Sequence, residues 1–387
     1  MQRFIIRLVT AEKKLVNAAA SLPTWQYSTN VFHSQTFSFK RFDYFFLQAD
    51  PLAKYKILAE NTIEKPTILI TGAMGQLGRG IASILKFMYG TESCLMTDVV
   101  KGSNDNNCSP YAYLDVLDKS AIEEMVVNHN INTIIHYSAI LSAVGETNVP
   151  LALKVNGEGM QNVLEVAKKY NLKIFIPSTI GAFGPATPKQ NTPNICVQRP
   201  RTIYGVTKVY GELLGEYYNE RFGTDFRSLR FPGIISATEP GGGTTDYAVK
   251  IFYDAIQYGK YKCYLRPETR LPMMYDTDCT ASVILYLLAS PDKLTQRTYN
   301  VTGFSFTPEE IAASIRRIIP NFKIEYEVCP IRQKIADSWP DSLDDSMARK
   351  DWGWKPEYDL ERTVNIMFTL IERQIREQQN NPKKANM

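Results

Sequence analysis

Residues 66–79 read PTILITGAMGQLGR, and their order decides the fold. Thr67 to Thr71 form a short apolar, β-branched run with no polar alternation, which predicts a strand buried on both faces. Glycines then recur at Gly72, Gly75 and Gly78, directly before an amphipathic stretch that predicts a helix from about Gln76 to Met88. Between a strand and a helix each glycine has a physical job. The first permits a tight turn, the second lets backbone approach a pyrophosphate, and the third lets the helix settle on the strand. Phosphates there would meet the free N–H groups of the helix N-terminus.

Outward from that loop, short apolar runs alternate with helical periods, the pattern of a doubly wound parallel sheet. Further strands are predicted at CLMTD (94–98), YAYLDV (111–116), NTIIHYSA (132–139), LKIFIPST (172–179) and DFRSLRFPG (225–233), with helices near 119–129, 151–170 and 204–222. The expected α/β architecture is a doubly wound parallel (Rossmann) sheet over residues 66–233. A smaller C-terminal substrate-binding lobe over 234–372 covers the sheet's carboxyl edge, with some segments returning to the sheet. Pro240 and Gly241–Gly243 make a bend that reads as a lid over substrate. A polar tail, 373–387, is expected to fray.

Asp98 ends the second strand about 20 residues past the glycine loop, where a carboxylate binds a ribose 2′-hydroxyl. Its charge repels a 2′-phosphate, and the neighbours Val99 and Val100 offer no compensating arginine. NAD is therefore expected rather than NADP.

The segment TIYGVTK places Tyr204 and Lys208 one helical turn apart on one face. An enzyme that oxidises an alcohol must remove a proton as hydride leaves. A phenol, with an ordinary pKa of about 10, serves as that base only if its anion is stabilised. Lys208 and a positive nicotinamide are the expected source of that stabilisation. Gly205 and Thr207 are small, which reads as room for a cofactor over the helix. Ser178 and Thr179, at the carboxyl end of the fifth strand, bring hydroxyls opposite the tyrosine.

Composition excludes several other classes. The 387 residues carry a net charge of only +4, which does not suggest a nucleic-acid surface. No apolar run approaches the roughly 18 residues of a bilayer span, so a soluble protein is expected. Six cysteines without a C-x-x-C pair and three scattered histidines, His33, His129 and His136, argue against a disulfide framework or a zinc site. His136 reads as a satisfied strand residue. Up to Leu47 there are six basic residues (Arg3, Arg7, Lys13, Lys14, Lys40 and Arg41) against Glu12 and Asp43. Residues 1–65 are accordingly read as an N-terminal extension with a mitochondrial transit segment, directing a soluble matrix protein.

From about Pro66 to Leu370 the chain resembles the extended branch of the short-chain dehydrogenase/reductase family. The matching elements are TGAMGQLG, Asp98, LDV at 114–116, HYSA at 136–139, PST at 177–179 and YGVTK at 204–208. The resemblance implies that Tyr204 is the general base, that Lys208 lowers its pKa and holds the nicotinamide ribose, and that Ser178 with Thr179 orients the reacting hydroxyl. It implies further that Gly72, Met74, Gly75, Gln76, Leu77, Gly78, Asp98, Val99, Asp115, Val116, Ala139 and Ile234 surround NAD, with no metal. Family members commonly pair through the tyrosine helix, so a homodimer is expected.

In the second lobe, PGGGTTDYA (240–248), LPMMY (271–275) and IADSWPDSLDDSMARKDWGW (335–354) resemble those members that oxidise L-threonine to 2-amino-3-ketobutyrate. A small zwitterion needs donors for its carboxylate and an acceptor for its ammonium. Ser142, Thr244 and Thr245 are candidates for the first task and Asp246 for the second, and Trp339 is a candidate to close the pocket. Two alternatives stand beside this reading. One is a nucleotide-sugar 4-epimerase, with Arg266 and Arg270 pairing a diphosphate. The other is a non-catalytic dinucleotide sensor.

Overall fold

The computed structural model describes residues 53–62, 65–100, 110–238 and 243–380. The basic N-terminal segment up to residue 52 and the bend residues Pro240, Gly241 and Gly242 lie outside the described residues, so the targeting and lid readings fall largely there.

The sheet forms where the apolar runs predicted it. Its strands are β1 (Ile68–Thr71), β2 (Cys94–Asp98), β3 (Tyr111–Tyr113), β4 (Thr133–His136), β5 (Lys173–Phe175), β6 (Ser178–Thr179) and β7 (Phe226–Phe231), later joined by β11 (Thr298–Asn300). The order is β11-β7-β5-β4-β1-β2-β3, with β6 paired to β7, and every pairing is parallel. Helices cover both faces, which is why β1, β4 and β7 are buried along their whole length. On one face α2 (Gln76–Tyr89) and α9 (Asp276–Leu288) pack Ile81, Leu85, Val283 and Tyr286 against the sheet. On the other, α3 (Lys119–Asn128), α6 (Met160–Lys169) and α7 (Ile203–Phe222) pack Ile122, Val163, Leu164 and Tyr218. Strand order reverses between β1 and β4. In open α/β sheets the crevice beyond that reversal is where ligands bind.

The second lobe has its own core around Phe252, Phe306, Ile311 and Phe368. It comprises β8 (Gly233–Ile235), α8 (Tyr247–Tyr258), β9 (Lys260–Cys263), β10 (Leu271–Tyr275), β12 (Phe304–Phe306), α10 (Pro308–Arg316), β13 (Lys323–Tyr326), α11 (Pro330–Ala336) and α13 (Leu360–Asn380), while α12 (Ser346–Trp352) returns to the large sheet and packs Ala348 beside β11. β8, β10 and β12 make one small sheet, and β9 with β13 another.

Several elements differ from expectation. Prolines split two predicted strands: Pro177 separates β5 from β6, and Pro232 separates β7 from β8, because proline has no N–H for the ladder. The predicted helix 151–170 is interrupted. It is made of the end of α5 (Val149–Leu153), a π turn at Lys154–Gly159 and then α6, and a separate α4 (Ser142–Thr147) that the sequence did not announce precedes it. The polar tail does not fray at Arg373. α13 continues to Asn380, and Gln374 donates to the Ala237 carbonyl at 2.8 Å. At the other end, α1 (Ala53–Glu60) precedes the expected start at Pro66 and packs on α2. There the Tyr55 ring is 2% exposed in the core and Lys54 pairs with Glu357 at 2.6 Å.

Candidate active site

The glycine loop closes over the carboxyl ends of β1 and β4. Gly72 has φ +64°, and a Cβ there would lie 2.6 Å from the Ser138 nitrogen, so turn and close approach both require glycine. A Cβ on Gly78 would lie 2.6 Å from both the Gly72 carbonyl and the Ala73 Cα, which fixes α2 against the strand. Gly75 is different. It is exposed, and a Cβ there would meet only the Gly72 carbonyl at 3.4 Å. The protein's own packing does not demand glycine at 75, whereas a pyrophosphate lying on the loop does. The N-terminus of α2 has no side-chain cap and no acid in its first turn, leaving its N–H groups for such an anion.

Asp98 stands at the rim of this loop. One carboxylate oxygen accepts from the Met74 N–H at 2.9 Å and the other from the Val100 N–H at 3.1 Å. The carboxylate thus shapes the loop and presents its charge where a ribose would lie. Val99 is exposed beside it. Asp115 accepts from the Leu117 N–H at 3.0 Å, and the buried Val116 meets Gly159 of the π turn. Gln76 donates to Ser236 at 2.7 Å, joining the loop to the end of β8 just past Ile234. Met74, Leu77, Ala139 and Ile234 are partly exposed around the same crevice. The residues present fit a dinucleotide.

The tyrosine helix enters from the other side. Thr202 caps it by accepting from the Gly205 N–H at 3.1 Å. Gly205 leaves no room for a cofactor, contrary to the sequence reading: a Cβ there would lie 2.2 Å from the Gly181 carbonyl and 2.6 Å from Pro200. Thr207 is likewise buried, donating to the Tyr204 carbonyl at 2.8 Å and accepting from Asn156 at 3.3 Å. Both small residues hold the helix against its neighbours.

Lys208 donates to the Pro177 carbonyl at 2.8 Å, and its nitrogen lies 5.6 Å from the centre of the Tyr204 ring. The strand break at Pro177 turns that carbonyl toward the helix. Thr179 hydrogen-bonds the Tyr204 hydroxyl in the sense that favours phenolate, yet burial dominates and pushes the phenol up to about 12. The expected lowering by Lys208 is not seen in the protein alone, since the ammonium lies over the ring and toward Pro177. Burial pulls Lys208 itself down to about 8, opposed by the charge of Glu212. His136 is buried with its Nδ1 2.8 Å from the Thr71 hydroxyl. Burial first, and then the Lys208 charge, push it down to about 3, so it is neutral.

Ser178 does not join Thr179 at the phenol. Neighbouring strand residues face opposite ways, and the Ser178 hydroxyl points inward to donate to Glu212. Sequence reading missed Glu212, Arg230 and Asn156. Glu212 repeats the one-turn step from Lys208, and Arg230 sits in the apolar strand FRSLRF, a charge with no reason to be there unless paired. Asn156, held in the π turn, brackets Ile140 through both its carbonyl and its N–H, at 3.0 and 2.7 Å.

Beyond β4, Ser142 begins α4 and is buried. Thr244 is buried too. Its carbonyl accepts from the Tyr264 hydroxyl at 3.2 Å, and the Gly243 carbonyl accepts from Arg332 at 3.3 Å. Thr245 packs its methyl beside Gly233. Asp246 accepts from the Gly243 N–H at 2.7 Å and closes its own turn, a structural task the sequence reading did not foresee. Trp339 is 7% exposed within the second lobe's core, so it packs there rather than closing a cleft. Arg266 is bonded to Glu268 and Asp337, and Arg270 to Glu310 and the Ser305 carbonyl. Neither arginine stands ready for a diphosphate.

A reversed parallel sheet with an open phosphate loop beside a tyrosine–lysine helix defines a dinucleotide-using enzyme. Residues 68–302 match the model of the NAD dependent epimerase/dehydratase family, and the chain belongs to that family, with NAD as its cofactor. The chain is similar to the mitochondrial L-threonine 3-dehydrogenase of Bos taurus, 52% identical over 309 residues, covering 79% of this chain and 83% of that one. Among solved structures it is similar to the L-threonine dehydrogenase of Phytophthora infestans, with a TM-score of 0.77, 47% identity and coverage of 79% and 99%. It is also similar to the holo form of the GalE-like L-threonine dehydrogenase from Cupriavidus necator, with a TM-score of 0.77, 43% identity and coverage of 79% and 100%.

Proposed function

We propose that the chain oxidises the 3-hydroxyl of L-threonine to the ketone, giving 2-amino-3-ketobutyrate. The observation that carries the chemistry is the contact of Thr179 with the Tyr204 phenol, one turn from Lys208. The similarity to L-threonine dehydrogenases carries the substrate.

In this reading Tyr204 takes the proton of the substrate hydroxyl, which Thr179 holds in line. Lys208, anchored on Pro177, holds the ribose and keeps positive charge below the phenol. When bound, NAD would supply the hydride acceptor and, in its oxidised form, a positive ring that favours loss of the proton. Gly72, Gly75, Gly78 and the α2 N-terminus hold the pyrophosphate, with Met74, Gln76 and Leu77 along it and Asp98 with Val99 at the adenosine ribose. Asp115, Val116, Ala139 and Ile234 line the rest. Ser142, Thr244 and Thr245 supply donors for the threonine carboxylate, and Asp246 is the counter-charge for the ammonium. Ser178 acts from behind, through Glu212.

The protein is proposed to work as a homodimer. Val206, Tyr210, Leu213 and Tyr217 recur at steps of four, three and four along α7, and all four are exposed, an apolar stripe suited to a second copy. The mitochondrial matrix is the proposed compartment, supported by the bovine relative's name and the basic N-terminal composition.

The test is NADH formation measured at its absorbance band with L-threonine, L-serine, L-allo-threonine and a nucleotide sugar. Threonine-dependent reduction that disappears in Tyr204→Phe supports the reading. Turnover of the nucleotide sugar, or full activity in Tyr204→Phe, overturns it.

A further inference from the structure

Behind Tyr204 and Lys208 lies a second charged pair that the proposed reaction does not touch. Glu212, one turn beyond Lys208, is 2% exposed, and Arg230 of β7 is 5% exposed. Their contact is doubled, with Arg230 Nε to Glu212 Oε1 at 3.0 Å and Nη2 to Oε2 at 2.8 Å. Ser178 donates to the first oxygen, and Gln198 donates to the second at 2.9 Å. Burying an ion pair is costly, and well-packed apolar residues of the same volume would join helix to strand at least as firmly. Holding α7 on β7 is therefore a weak reason to place charges there.

The geometry gives a better reason. Ser178 lies between Pro177, whose carbonyl holds Lys208, and Thr179, which contacts the Tyr204 hydroxyl. A cavity of about 20 Å³, with room for about one water, is lined by both Lys208 and Glu212, and its uncharged polar walls include His136, Asn156, Ser178 and Thr207. We propose that the Glu212–Arg230 pair is the positioning device of this site, clamping Ser178 so that Pro177 and Thr179 face Lys208 and Tyr204, and presenting one fixed negative charge to the ammonium. The inference rests on the tyrosine–lysine reaction proposed above.

The surroundings leave Glu212 as the charge that decides. From β4 comes His136, which is neutral, and from the π turn and α6 come the uncharged Asn156 and Met160. From α7 come Tyr204 and Glu212 themselves, and from β7 comes Arg230, matched by Glu212. Burial pulls Lys208 down and Glu212 pulls it back. Without the carboxylate, the ammonium is lost at a lower pH and takes the phenolate's support with it.

The experiment compares kcat against pH, the KM for NAD and the Tm in full-length Glu212→Gln, Glu212→Asp and the double variant Glu212→Gln/Arg230→Met. Glu212→Gln is expected to lower kcat at neutral pH by about tenfold or more and to move the alkaline limb down by about one pH unit, with KM for NAD within about threefold. Glu212→Asp should return part of both. Since Glu212→Gln leaves Arg230 buried and unpaired, it can fail to fold, and the double variant removes that charge as well. A double variant that keeps its Tm yet shows the alkaline limb displaced by at least about half a unit supports the proposal. A double variant with the parent kcat and pH profile overturns it and reduces the pair to packing. Tyr204→Phe run alongside separates the failures: if it stays active the reaction reading has failed, and if it is inactive beside a normal double variant only the clamp has.

Discussion

An alanine at position 205 tests how the catalytic helix is held. Its methyl carbon would sit 2.2 Å from the Gly181 carbonyl oxygen and 2.6 Å from the Pro200 ring. Non-bonded carbons settle roughly 3.5 Å apart. The obstacle is backbone on the β6 side, which cannot swing away as a side chain would, so α7 must retreat by roughly an ångström. Overpacking of this kind costs about 2 kcal/mol, a fall in Tm of roughly 2–4 °C for a chain of this size. The retreat carries the Tyr204 hydroxyl off Thr179, and an ångström of misplacement lowers kcat on the order of 100-fold. The KM for NAD should rise only a few-fold, because Lys208 moves with the helix whereas the glycine loop belongs to a different one. The assay is steady-state NADH formation with threonine, beside a thermal melt. Gly211→Ala is the control, since its methyl would meet the Met160 sulfur at 2.8 Å, the movable end of a flexible side chain. If Gly205→Ala instead raised the KM for NAD and left kcat intact, glycine would be there for the cofactor and the packing argument would be wrong.

His136 should make the protein acid-labile. Its folded pKa is depressed to about 3 from 6.5, so the unfolded chain binds more protons between those values and stability drains as pH falls below 6.5. At pH 5 the loss is roughly 2 kcal/mol, readable as a shift in urea midpoint that His136→Gln should flatten. Asp98→Ser should raise the KM for NAD on the order of 10- to 100-fold, the worth of a charged hydrogen bond, and raise the ratio of kcat/KM for NADP over NAD. An unchanged ratio would mean the carboxylate serves only the loop. Leu213→Glu, at a position 59% exposed on the apolar stripe, should shift the sedimentation mass from dimer to monomer with the fold intact. A mass unaffected by the charge would place the interface elsewhere.

Much of this was legible because parallel strands buried on both faces leave uninterrupted apolar runs, and because Gly72 and Gly78 answer to backbone geometry that only glycine satisfies. Tyr204 and Lys208 were legible by their one-turn spacing. What escaped depends on direction or on distant pairing. The side to which Ser178 turns is set by the break at Pro177 and by a glutamate 34 residues onward. Asn156 works from a π turn, which no periodicity announces. Asp246 and Trp339 look like pocket residues by type, and only the folded turn and core show the one capping and the other packing. The helix Ala53–Glu60 is two turns long, too short for its apolar residues to outweigh the basic stretch before it.

That short helix sets a limit on maturation. If a protease trims the leader, it must stop before Ala53. A cut after Lys56 would withdraw the Tyr55 ring from its slot against α2 and strip Lys54 from Glu357, a residue whose own N–H is held by Asp278 of α9. The ragged species would uncover the apolar residues of α2, Leu85 and Met88 among them, whose core Tyr55 completes. If the N-terminal segment is removed at all, the peptide bond that can safely be severed lies before the helix that carries the Tyr55 wedge.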